Sequence, residues 1–226
     1  MLRVLTANVF NGHADAAAFG ELLDRVAPDV VAAQELDPAV AAEIENRMHF
    51  GKLLPAHDYH GRGIGSLRPI EVEELEMPYR NALVGRLDDG TEVISAHLAN
   101  PLVIPPALGK RRRQVEALVT HVLAAPARRV VVGDLNATPA WPAYKALNRV
   151  LTDGVADWAA RLGREPERTW AYRYGARPML RIDHALVSGL LVADASTYAV
   201  RGSDHLALVV DLEPVPVDAG FRSSSQ

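Results

Sequence analysis

The chain has 226 residues, 49% hydrophobic and 23% charged, a balance that supports a sizeable core and excludes a globally disordered polypeptide. With a formal net charge of -4 and an isoelectric point near 6.1, the chain as a whole lacks the electrostatic footprint of a protein that grips nucleic acid non-specifically. The absence of cysteine excludes disulfides, thiolate metal sites and thiol nucleophiles, so any metal must be held by carboxylate, amide or imidazole.

The sequence opens on strand-like residues, Leu2 to Val9, without the basic, apolar and small-residue segments of a signal peptide. Apolar runs such as Val30 to Ala33 fall far short of the ~20 residues a membrane helix needs, so a cytoplasmic protein with no integral membrane association is expected. Val30 to Gln34 reads as a second buried strand, and Phe19, Leu22, Leu23 and Val26 between the two strands recur at helical spacing. Asp37 followed by Pro38 announces another helix, expected to run to about His49 and to end at Gly51.

From Arg62 to Leu98 the pattern becomes short strands: Gly63 to Leu67, Glu71 to Met77, Asn81 to Leu87 and Thr91 to Leu98. They read as one antiparallel meander, with Asp88-Asp89-Gly90 turning its last hairpin. Val115, Leu118, Val119, Val122 and Leu123 then mark the apolar face of a helix, whose Lys110-Arg111-Arg112-Arg113 run reads as a solvated face. Arg129 to Val132 is a short buried strand, Thr138-Pro139 predicts a helix start running through about Val150, and Asp153 caps a further helix. Ile182 to Val187, Leu191 to Val200 and Leu206 to Leu212 complete the strands. Two strand groups accompanied by helices predict one α/β domain over residues 1–213, a four-layer α/β/β/α sandwich of two mixed, mainly antiparallel sheets, and a disordered tail over 214–226.

Polar residues fall at the ends of these strands. Asn8, Gln34-Glu35, His97 and Gly133-Asp134-Leu135-Asn136 close strands, Asp183-His184 begins one, and Ser203-Asp204-His205 precedes the last. Cleaving a phosphoric ester requires charge neutralisation, an activated water and a stabilised leaving oxygen, and this set contains groups for all three tasks. Glu35 suits Mg²⁺, which keeps several waters and needs one or two protein carboxylates. Asp134 and Asn136, two apart in an extended chain, point to the same side. Strand alternation turns His184 away, as a structural residue, while Arg80, Trp170 and Arg173 could serve either substrate contact or ordinary packing and ion pairing.

In order, Thr6-Ala7-Asn8-Val9, Gln34-Glu35, Ser95-Ala96-His97-Leu98, Gly133-Asp134-Leu135-Asn136, Arg181-Ile182-Asp183-His184 and Ser203-Asp204-His205 resemble the motifs of the endonuclease/exonuclease/phosphatase superfamily. The resemblance implies Mg²⁺-dependent phosphodiester hydrolysis, with Mn²⁺ or another divalent cation as a substitute and a nuclease activity as the alternative. It implies Asp134, Asn136, His97, Asp183 and His205 as catalytic residues, His97 on a phosphate oxygen and Asp183 holding His205. Glu35 is the expected metal ligand, with Asn8 and Asp204 as auxiliaries. Phe10 stands where many nucleases of the group carry a carboxylate, so the support that carboxylate gives is missing here or comes from Asn11 or Asp15. The expected partner is a phosphate-ester substrate; nucleic acid is not favoured by net charge, and Gly51 to Gly65 lacks an obvious DNA-inserting loop.

Overall fold

The computed structural model describes residues 1–101, 107–124 and 128–215. In chain order the first elements are β1 (Leu2–Asn8), α1 (Ala16–Val26), β2 (Val30–Gln34), α2 (Pro38–Glu45), β3 (Phe50–Leu54) and β4 (Arg62–Ser66). These are followed by β5 (Ile70–Leu75), β6 (Ala82–Leu87), β7 (Glu92–Ser95), α3 (Ala107–Ala124), β8 (Arg129–Asp134) and α4 (Pro142–Leu147). Then come β9 (Thr152–Asp153), α5 (Gly154–Arg161), β10 (Asp183–Ser188), β11 (Leu190–Ala199) and β12 (Leu206–Pro214).

The strands form two six-stranded sheets, in the orders β11-β12-β1-β2-β4-β3 and β5-β6-β7-β8-β10-β9. Pairing is antiparallel except for β1 with β2 and β7 with β8. Side chains alternate along a strand, so neighbouring residues serve different layers. Val4, Val30, Val130 and Leu208 enter the core between the sheets. Leu5, Val31 and Val209 pack outward under α1 and α2, while Val131 and Leu186 pack under α3 and α4. This is the expected four-layer sandwich, and it explains why the central strands read as continuous apolar runs. Among the described residues no helix is long and apolar enough to cross a membrane.

Helix starts follow local chemistry. The carboxylates of Asp15, Asp37 and Asp153 accept hydrogen bonds from main-chain N–H groups in the first turns of α1, α2 and α5. The helix expected from Thr138-Pro139 starts later. Pro142 disfavours helical backbone at the preceding residue, and Trp141 is extended (φ -89°, ψ 151°), so α4 begins at Pro142.

Five further expectations are corrected. α2 stops at Glu45, and the chain then supplies β3, an edge strand beside β4. The presumed single meander divides between sheets: β4 pairs with β2 and β3, whereas β5, β6 and β7 pair with one another in the other sheet. Leu123 is exposed. Arg111 is buried, and its guanidinium donates to the carbonyls of Ala99 (2.6 Å), Leu135 (2.9 Å) and Asn136 (2.9 Å). A buried cation needs fixed dipoles around it, and three carbonyls supply them. Pro214 belongs to β12, and the rest of the expected tail from residue 216 lies outside the described residues.

Candidate active site

Topology gathers the polar strand ends. β1 and β2 run parallel, as do β7 and β8, while β10 and β12 run antiparallel to β8 and β1. The C-terminal ends of β1 and β8 therefore share an edge with the N-terminal ends of β12 and β10. Register makes this concrete: Asn8 lies opposite Gln34, and Asp183 opposite Asp134. Gly133 permits a close approach of two of these strand ends. Its φ is +128°, and a Cβ there would come within 2.1 Å of the Ala96 carbonyl oxygen, so a larger residue would push β7 and β8 apart.

Gln34 joins the two sheets beneath the site. Its side-chain amide donates to the Thr6 hydroxyl of one sheet and the Ser95 hydroxyl of the other, both at 3.1 Å. The Ser203 hydroxyl donates to the Asn8 carbonyl at 2.8 Å and accepts from the His205 N–H at 3.0 Å, anchoring the start of β12 to the end of β1. The Thr169 hydroxyl accepts from the N–H groups of Ile182 and Asp183.

The sequence-predicted residues converge in a cleft of about 350 Å³ that includes Glu35, His97, Asp134, Asn136, Asp204 and His205. Asp134 is central. Its carboxylate accepts from the Asn136 N–H (2.7 Å), the Asn136 amide (3.0 Å) and the Asn8 amide (3.2 Å). Asn136 reaches it through a left-handed turn, φ +46°, rather than by strand alternation. Burial pushes the Asp134 carboxyl up to about 7; the charge of His205 opposes that rise and Asp183 adds to it.

His97 Nε2 lies 3.4 Å from Asp134 Oδ2 and 3.8 Å from Glu35 Oε1. Burial, followed by the positive charges of Arg80 and His205, holds this imidazole well below its ordinary value, so it is neutral. His205 Nδ1–H donates to both Asp183 oxygens, at 2.9 and 3.2 Å, and leaves Nε2 facing Asp134 from 3.9 Å. Burial alone would lower His205; the charge and hydrogen bond of Asp183, helped by Asp134 and Asp204, carry it up to about 10. His205 is therefore an imidazolium at neutral pH.

Glu35 is held by the Asn8 amide at 3.1 Å, and burial raises its carboxyl despite that bond and the nearby positive charges. Its φ of +52° lies in the left-handed region, which costs a non-glycine residue about 1–2 kcal/mol and turns the carboxylate into the cleft. Asp204 accepts from the Trp170 indole at 3.0 Å, while its Oδ1 is buried without a hydrogen-bond partner. Among the described residues no group of three or more His, Asp or Glu side chains forms a ready metal cage. An oxygen-only pair with a raised carboxyl and an orphaned carboxylate oxygen nevertheless fits Mg²⁺, which takes few protein ligands and keeps its waters.

Neither Asn11 nor Asp15 supports Asn8: the Asn11 amide donates to the His57 carbonyl, and Asp15 caps α1. The Phe10 N–H does so instead, donating to Asn8 Oδ1 at 3.0 Å. His184 is fully buried, 2.7 Å from the Ala137 carbonyl oxygen, in the structural role expected. Arg80 is buried in the cleft with an unpartnered Nε, and its Nη1 donates to the His97 carbonyl at 3.4 Å. Trp170 also lines the cleft, whereas Arg173 is solvent-exposed. The sequence reading missed the interior places of Gln34, Thr169 and Arg111. Gln34 at least stood inside a motif, but the other two carry no local signal.

Fold and site together define a two-sheet α/β sandwich with a cleft of carboxylates, amides and imidazoles at one edge. The sequence model of the Endonuclease/Exonuclease/phosphatase family matches residues 5–205, and the chain belongs to that family. An AP endonuclease from Archaeoglobus fulgidus superposes with a TM-score of 0.76 at 17% identity, over 94% of this chain and 100% of that one. A 3′-5′ exonuclease from Neisseria meningitidis gives 0.75 at 20% identity with the same coverages. An endonuclease/exonuclease/phosphatase from Beutenbergia cavernae gives 0.73 at 20% identity, over 94% of this chain and 71% of that one. At these identities the likeness concerns the fold. No curated protein matches by sequence.

Proposed function

We propose that the protein hydrolyses phosphoric diesters by in-line attack of water, assisted by a divalent cation, Mg²⁺ or Mn²⁺. The observation that carries this reading is the environment of Asp134: a buried carboxyl pushed up to about 7, aligned by Asn8 and Asn136 and faced by a neutral and a charged imidazole. A carboxylate with raised proton affinity is suited to orient a water and take its proton near neutral pH.

In this scheme the water oxygen bonds to phosphorus while its proton moves to Asp134. The opposite P–O bond breaks, and the alkoxide leaves with the electron pair and takes up a proton from solvent. His205, kept cationic by Asp183, neutralises charge on the non-bridging oxygens, and the Asn136 amide and His97 add fixed dipoles. Glu35 and Asp204 would hold the cation, with Asn8 fixing Glu35, and when bound it supplies charge neutralisation at the phosphate and the leaving oxygen. Arg80 adds a second buried cation beside the phosphate position.

Hydrolysis of a chromogenic diester such as bis(p-nitrophenyl) phosphate tests the reading. Turnover is expected with Mg²⁺ or Mn²⁺, to vanish with EDTA, and to fall at least about a hundredfold in Asp134→Asn and in His205→Ala. Wild-type rates in both variants would refute it.

A further inference from the structure

A second cavity, of about 270 Å³, lies beside the start of β10 and shares no lining residue with the active-site cleft. Its volume falls just short of the roughly 300 Å³ at which drug-sized ligand sites begin, which restricts it to a small molecule. Val155 and Trp158 of α5, Ala195 of β11 and Leu208 of β12 give it an apolar wall continuous with the core between the sheets. The remaining lining is polar. Thr169 and Asp183 are buried and the Arg181 side chain is only 10% exposed, whereas Arg164, Glu165 and Glu167 are exposed and mark the mouth. Trp170 and Ile182, the chain neighbours of Thr169 and Asp183, line the cleft instead, so the two spaces lie back to back across this strand start.

The buried end holds a donor without an acceptor. Arg181 gives Nη2 to Asp153 at 2.7 Å, while its Nη1 is buried with no hydrogen-bond partner among the described residues. The neighbouring carboxylates are already engaged. Asp183 receives His205 Nδ1–H on both oxygens, and Asp153 receives the Tyr144 hydroxyl, the Ala156 N–H and Arg181 itself. A buried charged donor left unpaired is costly, and an incoming acceptor recovers that cost. At the mouth the Arg164 guanidinium lies 4.2 Å from the Trp158 ring centroid and adds a second cation beside the apolar wall. Glu165 and Glu167 repel any ligand that carries negative charge at its outer end.

We propose that this cavity binds a small monocarboxylic acid with a flat apolar body, its carboxylate on Arg181 and its body against Trp158, Val155, Ala195 and Leu208. A carboxylate matches the planar fork of a guanidinium and forms charge-assisted hydrogen bonds with it. An uncharged ligand of the same shape forfeits those bonds, and a second negative charge meets the two glutamates.

Isothermal titration calorimetry of the full chain with 2-naphthoate tests the assignment. 2-Naphthamide has the shape without the charge, acetate the charge without the body, and 2,6-naphthalenedicarboxylate a second charge at the far end. 2-Naphthoate is expected to bind once per chain and at least about tenfold more tightly than each of the three. Arg181→Met and Ala195→Leu, the second of which fills the apolar part and leaves the arginine in place, should each weaken it at least about tenfold. Circular dichroism verifies folding; if Arg181→Met, which strips Asp153 of its partner, does not fold, Ala195→Leu decides. Inorganic phosphate, an anion suited to the cleft, should not displace the naphthoate. Absence of saturable binding, equal affinity for any of the three comparison compounds, unchanged affinity in Ala195→Leu, or displacement by phosphate would overturn the proposal. None of these measurements reads turnover, so the cavity and the phosphodiesterase reading stand or fall separately.

Discussion

Replacing Asp183 by Asn tests the electrostatic core of the site. The side chains of Asp183 and His205 are 1% and 6% exposed, and they share two short contacts. Raising an imidazole from 6.5 to about 10 corresponds to roughly 5 kcal/mol at ~1.4 kcal/mol per unit, close to the ~3–5 kcal/mol lost when one partner of a buried ion pair is removed. The asparagine keeps a neutral hydrogen bond to Nδ1–H and forfeits the charge attraction. A raised imidazole stabilises the fold fully below its unfolded value of 6.5 and loses that contribution as pH climbs through about 10. Asp134 also binds its proton more tightly when folded, but its rise ends near 7, so measurements above that pH isolate His205. Urea denaturation of wild type and Asp183→Asn should show a gap of about 3–5 kcal/mol near neutrality that narrows steadily toward pH 10. Turnover of the chromogenic diester at neutral pH should fall about a hundredfold or more, because His205 would no longer be held charged and oriented. A pH-independent gap, or an unchanged turnover number, would refute the reasoning.

Two further perturbations probe how the site is held. Arg111→Met strips three main-chain carbonyls of a buried charged donor and should cost about 3 kcal/mol or more in urea melts. Arg111→Lys should recover only part of that loss, since an ammonium cannot reproduce the planar fork; full recovery would contradict the assigned geometry. Gly133→Ala should prevent the close approach of β7 and β8 and cost at least about 3 kcal/mol, because the added methyl meets backbone rather than a movable side chain. A stable, fully active Gly133→Ala protein would show that the two strand ends tolerate separation.

Much of the layout was legible because it depends on short-range chemistry. Asp15, Asp37 and Asp153 cap helices, although the sequence singled out Asp15 only as one of the alternative supports near Asn8. The apolar runs of β1, β2 and β8 show that both faces of these strands are buried, as central strands of a sandwich require. Errors arose where a distant partner outweighed local preference. β4 looks like the first strand of the following meander, and only pairing with β2 and β3 assigns it to the other sheet. Arg111 sits in a basic run that resembles a solvated face until the β8 exit supplies carbonyls around it.

The sequence by itself determined the family and the candidate set: six motifs in the family's order name the carboxylates, amides and imidazoles, and they fall at strand ends, where side chains leave the packed sheets. Tertiary structure decided how they work as a unit. Parallel and antiparallel pairings bring the ends of β1, β8, β10 and β12 to one edge, a glycine lets two backbones meet, and left-handed turns aim Glu35 and Asn136. Proton affinities also belong to this level, since the rise of Asp134 comes from burial and that of His205 from an aspartate 22 residues away in the chain.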